Sequence, residues 1–239
     1  METNKDSFRI KLFADGADLT SMIEMASKPF ISGLTTNPTL MKKAGIRDYV
    51  KFAKEVLKEI DSKPISFEVF SDELEEMKYQ GERIASWGSN VYVKVPITNT
   101  RGESTNGVIS HLTSKGIKVN VTAVMTCEQV EQIMQSLDPN IESVVSVFAG
   151  RIADTGRDPL PIMQSCVSIL ETNSKSELIW ASPRELLNVF QADKIGCHII
   201  TATNDILKKL ELVGMDLTIY SLETVKMFYN DAKSSGYKI

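Results

Sequence analysis

The run "VYVKVP", residues 91–96, has the alternating, β-branched character of a buried strand, yet it places an ammonium group between Val93 and Val95. Its surroundings define its setting. Residues 71–87 have helical period and a helix is expected near 104–115, so the run is a strand held between two helices. The alternation extends in both directions. Upstream lie "RIKLFAD" with a helix over 18–27, "FISGLTT" with a helix near 46–61, and "PISFEVF". Downstream come "IKVNVTAV" with 127–136, "VVSVFAG" with 158–172, "ELIWAS" with 183–192 and "GCHIITAT" with 203–213.

Eight successive βα units with short connections fit a closed parallel barrel better than an open doubly wound sheet. No Gly-rich dinucleotide fingerprint follows any of the strands, which also counts against the open sheet. The expected fold is therefore α/β, a single (β/α)8 TIM barrel spanning residues 1–239. Residues 216–233 carry Leu222, Val225, Phe228 and Tyr229 at helical spacing and predict an additional C-terminal helix, with 216–239 packing on a barrel end or a neighbouring subunit.

A chain of 239 residues with 42% hydrophobic content can bury one large core. The net charge of −4, with Lys and Arg scattered rather than striped, excludes a nucleic-acid partner. No segment approaches the 18 or more apolar residues of a membrane span, and "METNKDSFRI" lacks a leader's apolar stretch, so the expected setting is cytoplasmic and free of membrane. Cys127, Cys166 and Cys197 lack metal-ligand spacing and read as small buried apolar residues, while His111 and His198 lie far apart; no metal site is expected.

The barrel gives the lysine a direction. Strand side chains alternate, so if Val91, Val93 and Val95 face the helices, Tyr92 and Lys94 face the barrel interior. Lys94 then sits near the C-terminal end of its strand, where barrel enzymes place their sites. An amine must be neutral to attack a carbonyl, and desolvation can bring a lysine from about 10.4 toward 7 or 8, which suits Schiff-base chemistry. A snorkelling lysine or one neutralised by a core carboxylate is the structural alternative. Polar residues at the ends of the other strands favour a site: Asp15; Thr35, Thr36 and Asn37; Glu68; Asn120 and Thr122; Ser146, Phe148 and Arg151; Ser182 and Arg184.

At these residues the sequence resembles the transaldolase family, in its short-chain branch, which includes fructose 6-phosphate aldolase. The matching stretches are "FADGAD", "GLTTNPTL", "VYVKVP", "NVTAVMT", "VSVFAGRIAD" and "WASPRE", in the family's order, and the resemblance covers residues 12 to 201. It implies a class I mechanism with neither metal nor cofactor. Lys94 would form the Schiff base with a ketose, and Asp15 would take the C4 hydroxyl proton during carbon–carbon cleavage. Glu68 and Thr122 resemble the pair that holds a catalytic water. Thr36, Asn37, Asn120 and Ser146 resemble the surroundings of the dihydroxyacetone unit, and Arg151, Ser182 and Arg184 the phosphate site.

Glu68 and Phe148 follow the transaldolase pattern, where the aldolase branch carries Gln and Tyr. Phe148 lacks a hydroxyl that could protonate the bound enamine, which favours passing the three-carbon unit to an aldose phosphate over releasing it. The expected activity is transfer of a dihydroxyacetone unit from fructose 6-phosphate or sedoheptulose 7-phosphate. Gly16, Trp180 and an apparent insertion at Asp193–Lys194 depart from the pattern. An indole beside the anion site would reshape the acceptor end and admit a modified ketose such as a sulfonated sugar. A non-catalytic sugar-phosphate-binding barrel is the reading from a different class. The resemblance also implies a homo-oligomer, a pentamer or decamer, in which the C-terminal helix docks on a neighbour.

Overall fold

The computed structural model describes residues 8–238. Residues 1–7, read above for a leader, and Ile239 of the expected C-terminal tail lie outside the described residues. Eight strands form a closed parallel barrel in sequence order: β1 (Lys11–Asp15), β2 (Ile31–Thr35), β3 (Ile65–Glu68), β4 (Val91–Pro96), β5 (Val119–Val124), β6 (Ser143–Val147), β7 (Ser176–Trp180) and β8 (Ile199–Thr203). Closure comes from pairing of β1 with β8, Lys11 opposite Ile199 through Asp15 opposite Thr203. A closed barrel leaves no strand edge unpaired.

The helices are α1 (Leu19–Ser27), α2 (Pro38–Lys43), α3 (Tyr49–Glu59), α4 (Leu74–Ala85), α5 (Asn106–Ser114), α6 (Cys127–Ser136), α7 (Ala149–Asp154), α8 (Leu160–Leu170), α9 (Leu187–Lys194), α10 (Asn204–Lys208) and α11 (Leu217–Ser234). Their starts are written locally. Asp18, Asn37 and Asp48 each accept a backbone N–H three residues on, and Thr126 with Gln129 closes a reciprocal capping box. Two helices were not expected: α2 and α7, each of six residues, open directly above β2 and β6. Six residues span under two turns, too few for a 3.6-residue period to register.

Strand alternation sorts the core into two shells. Val91, Val93 and Val95 pack outward with the helices, whereas Phe13, Val144, Ile179, Ala181 and Ile199 form a separate cluster with Tyr92 and Phe148 inside the barrel. Phe13 owes its place to Gly33 on the neighbouring strand, because a Cβ at Gly33 would collide with the Phe13 ring. Tyr92 points toward the N-terminal mouth, where its hydroxyl donates to Glu142 at 3.2 Å.

One expectation is corrected here, and the effect of a second departure is located. Trp180 is 1% exposed and packs in the outer shell among barrel and helices rather than facing the barrel interior, because its neighbour Ile179 takes the inward position on β7. Asp193, at the end of α9, accepts the backbone N–H groups of Arg9 and Ile10 at 2.8 and 2.9 Å, just before β1 begins. Asp193 therefore acts at the N-terminal end of the barrel, away from the end where Lys94 lies. Of the cysteines, Cys166 and Cys197 are buried as expected while Cys127 is half-buried, and all three are free thiols.

No residue of α11 is buried, and its exposed apolar side chains include Leu217, Ile219, Leu222, Val225, Phe228 and Tyr229. Among the described residues no helix is long and apolar enough to cross a membrane.

Candidate active site

The C-terminal ends of the strands bring three ionisable groups together. β3 and β4 pair with Glu68 opposite Lys94, and β4 and β5 with Lys94 opposite Asn120, so these side chains share one level of the barrel interior. Lys94 is 6% exposed. Its Nζ donates to the backbone oxygen of Thr36 at 2.9 Å and lies 3.5 Å from Glu68 Oε2. With the apolar interior cluster below it, the ammonium cannot snorkel to water through the barrel floor.

Asp15, at the end of β1, completes the triad. Burial pushes its carboxyl above the usual carboxylate range, while Lys94 and hydrogen bonds from Thr35 and Asn37 pull it back. Burial likewise raises Glu68, with Lys94 opposing the rise and the charge of Asp15 adding to it. Two carboxyl groups thus share one buried ammonium, with burial favouring the protonated form of each and Lys94 opposing it.

Beside the triad runs a polar chain across three strands. Ser146 donates to Asn120 Oδ1 at 2.7 Å, and Asn120 Nδ2 donates to Ser66 Oγ at 2.9 Å. The chain fixes the Asn120 amide on the barrel axis side of β5. Thr122, two residues further up, has a buried Oγ1 with no hydrogen-bond partner among the described residues. The backbone explains its placement: β5 is irregular between Val121 and Val124, and Ala123 has φ of 62°. Bulges of this kind re-aim side chains at barrel rims. An orphaned buried hydroxyl is costly unless a ligand meets it.

The third group of residues gathers above β6 and β7. Phe148 caps α7 and packs its ring into the interior cluster, with the Arg151 guanidinium 5.8 Å from the ring centre. Ser182 takes φ of 60°, and its carbonyl occupies the position a Cβ at residue 150 would need, so only glycine fits at Gly150. This close approach seats α7 against the segment carrying Ser182 and Arg184.

Arg184 differs from expectation. Its Nε and Nη2 pair with Asp154 of α7 in a bidentate ion pair. Arg151 is on a helix rather than in a strand-end loop, and makes no ion pair among the described residues. The structure thus brings Lys94, Glu68, Asp15, Asn37, Asn120 and Ser146 together at the C-terminal end of the barrel interior, while Arg151 lies on α7 beside the segment that carries Ser182 and Arg184. Thr36 contributes its carbonyl rather than its hydroxyl, which donates to Ser66 O. Gly16 answers no steric demand, since a Cβ there would meet nothing within 4 Å; it leaves open space beside Asp15.

Residues missed from sequence are Ser66, Asp154 and Thr201. Ser66 and Thr201 are ordinary strand residues by type, and only alternation within β3 and β8 would have turned them inward. Asp154 lies in the stretch already quoted for its resemblance, one turn beyond Arg151.

Across residues 12–238 the chain matches the family model described as Transaldolase/Fructose-6-phosphate aldolase. It is 34% identical over 231 residues to a protein from a Thermoanaerobacter species named probable transaldolase, covering 96% of this chain and 100% of that relative. A second protein of that name, from Nitrosopumilus maritimus, is 32% identical over 231 residues and is matched over 100% of its length. Among solved structures, a dihydrodipicolinate synthase family protein from Coccidioides immitis superposes with a TM-score of 0.61 over 92% of this chain and 75% of that one, at 12% identity. That likeness concerns the fold alone.

Proposed function

The chain belongs to the transaldolase/fructose-6-phosphate aldolase family, and from that premise we propose that it is a class I transaldolase that moves a dihydroxyacetone unit between sugar phosphates through a Schiff base on Lys94. The observation that carries this reading is the buried Nζ of Lys94, held at 2.9 Å by the Thr36 carbonyl and flanked by Glu68 and Asp15. A structural ion pair has no need of a second carboxyl. A covalent amine catalyst does, because protons must be taken and returned beside it.

In this reading Lys94 attacks the C2 carbonyl of the ketose, and loss of water gives the Schiff base. Asp15 then takes the C4 hydroxyl proton as the C3–C4 bond breaks, the bonding electrons passing into the enamine and the aldose leaving. The enamine attacks the carbonyl carbon of an acceptor aldehyde while Asp15 returns the proton, and water hydrolyses the new Schiff base. Glu68 and the unpaired Thr122 hydroxyl suit a water that shuttles protons at Lys94. Asn37, Asn120 and Ser146 are placed to hydrogen-bond the three-carbon unit. Arg151, Ser182 and the Nη1 edge of Arg184 suit the substrate phosphate. Trp180 lies in the outer shell and Asp193 at the opposite end of the barrel from Lys94, so neither favours a sulfonated ketose over a phosphorylated one.

The choice of transfer over simple cleavage rests on Phe148, which faces the interior without a hydroxyl. With fructose 6-phosphate and erythrose 4-phosphate the protein should form sedoheptulose 7-phosphate and release little free dihydroxyacetone. In Phe148→Tyr the release, followed in a coupled assay, should rise several-fold. A folded Phe148→Tyr protein with unchanged release removes the donor argument, and binding without turnover across several ketoses favours the non-catalytic barrel.

The exposed apolar face of α11 supports a homo-oligomer in which this helix docks on a second copy, since a soluble chain seldom leaves such a face uncovered. Deleting residues 216–239 should lower the mass measured by light scattering to that of a smaller assembly. An unchanged mass would place the subunit contacts elsewhere.

A further inference from the structure

Asp15 does not stand alone at the end of β1. Thr35 Oγ1 donates to Asp15 Oδ1 at 2.8 Å, and Thr35 Oγ1 lies 2.5 Å from Thr201 Oγ1, where either oxygen can be the donor. Both threonines are buried. The barrel register places them: Asp15 is opposite Thr35 across β1 and β2, and β8 brings Thr201 in beside Phe13 from the other flank. The far oxygen, Oδ2, faces Asn37 Nδ2 at 3.5 Å, and that amide is oriented because its own Oδ1 accepts Leu40 N–H at the start of α2.

We propose that Thr201 is a positioning residue for Asp15, the end of a hydroxyl chain whose direction reverses as Asp15 gains or loses a proton. The proposal rests on the reading of Asp15 as the acid/base group. With Asp15 ionised, Thr35 gives its one proton to Oδ1 and Thr201 donates to Thr35. With Asp15 protonated on Oδ1, the side away from the Asn37 donor, Asp15 donates to Thr35 and Thr35 donates to Thr201. Both states satisfy the Thr35 hydroxyl by rotation of O–H bonds, without movement of heavy atoms. A group that must take and return a proton within one turnover needs both forms to be supported.

The charged groups facing Asp15 are Lys94 from β4 and Glu68 from β3; β2 and β8 have no ionisable side chain. Removing the Thr201 hydroxyl leaves these charges in place. It orphans the Thr35 proton only when Asp15 is protonated, because the ionised form still receives that proton. An orphaned buried donor outweighs the lost cooperativity in the ionised form. The protonated form is therefore disfavoured selectively.

In Thr201→Val, which keeps the side-chain shape, the acid limb of the pH profile of kcat/KM should move down by about one pH unit, with kcat lower by about tenfold and KM little changed. Thr201→Ser should restore both, and Thr201→Ala supplies a second hydroxyl-free variant. Borohydride trapping of Lys94 should persist in all three. An acid limb that stays in place or moves up in the hydroxyl-free variants, with trapping intact, overturns the chain while leaving the catalytic reading standing. An acid limb that survives in Asp15→Asn removes both, since the limb then belongs to another group.

Discussion

On the proposed mechanism, Lys94→Met should lose turnover with every ketose tested, by a factor on the order of 10⁴ or more, because the amine that would form the covalent intermediate is gone. The methionine matches the lysine stem in length and leaves the valine packing of β4 intact, so folding itself is not the obstacle. The charge balance changes, however. The ammonium lowers both Asp15 and Glu68 against the effect of their burial, and without it both carboxyls rise further. A buried acid whose folded value lies above its unfolded value binds more protons in the native state. Its contribution to stability is then lost as pH rises from the ordinary carboxylate range through the raised value. The Lys94→Met protein should accordingly be well folded in mild acid and lose thermal stability toward neutral pH more steeply than the wild type. Equal melting temperatures across that window would show that the carboxyls do not depend on Lys94.

Asp15→Asn separates covalent chemistry from bond cleavage. On the proposed mechanism the Schiff base would form at Lys94 without Asp15, so the trapped adduct should persist, whereas kcat should fall by about 10²- to 10⁴-fold through loss of the group assigned to take the C4 proton. Stability should change in the opposite sense to activity. Asp15 is raised by burial above its unfolded value, so at neutral pH its ionised form opposes folding; Asn removes that burden and keeps an oxygen to accept from Thr35. A higher melting temperature at neutral pH, with a weaker dependence on pH, is the expected result. A variant that is both active and unchanged in its pH dependence would take Asp15 out of the mechanism.

Much of this was legible in the sequence, for identifiable reasons. Each strand announced itself by β-branched residues and each long helix by its period, and eight repeats of the pair left the barrel as the natural closure. Lys94 stood out because an ammonium between two buried valines is costly unless it is paired or put to use, and the polar residues at the other strand ends favoured the second. The parts that were not legible depend on distance across the fold. Thr201 meets Thr35 across a sequence separation of 166, and threonine in a strand is unremarked by type. The Arg184–Asp154 pair joins residues 30 apart through a short helix that leaves no periodic trace. Trp180 shows a different limit. The strand at 177–182 was recognised, but which of two adjacent residues turns inward is a matter of one position, and here Ile179 holds the interior. In α11 the apolar spacing was plain, while none of its residues is buried against the described part of this chain.

The central claim is that the lysine among valines is the covalent catalyst, and its most direct test is reduction with borohydride in the presence of fructose 6-phosphate, followed by peptide mass spectrometry. The account predicts one reduced ketose adduct, located on Lys94 and absent from Lys94→Met. An adduct on another lysine, or none with fructose 6-phosphate, sedoheptulose 7-phosphate and a sulfonated ketose in turn, would contradict it and leave Lys94 as the buried partner of a structural ion pair with Glu68.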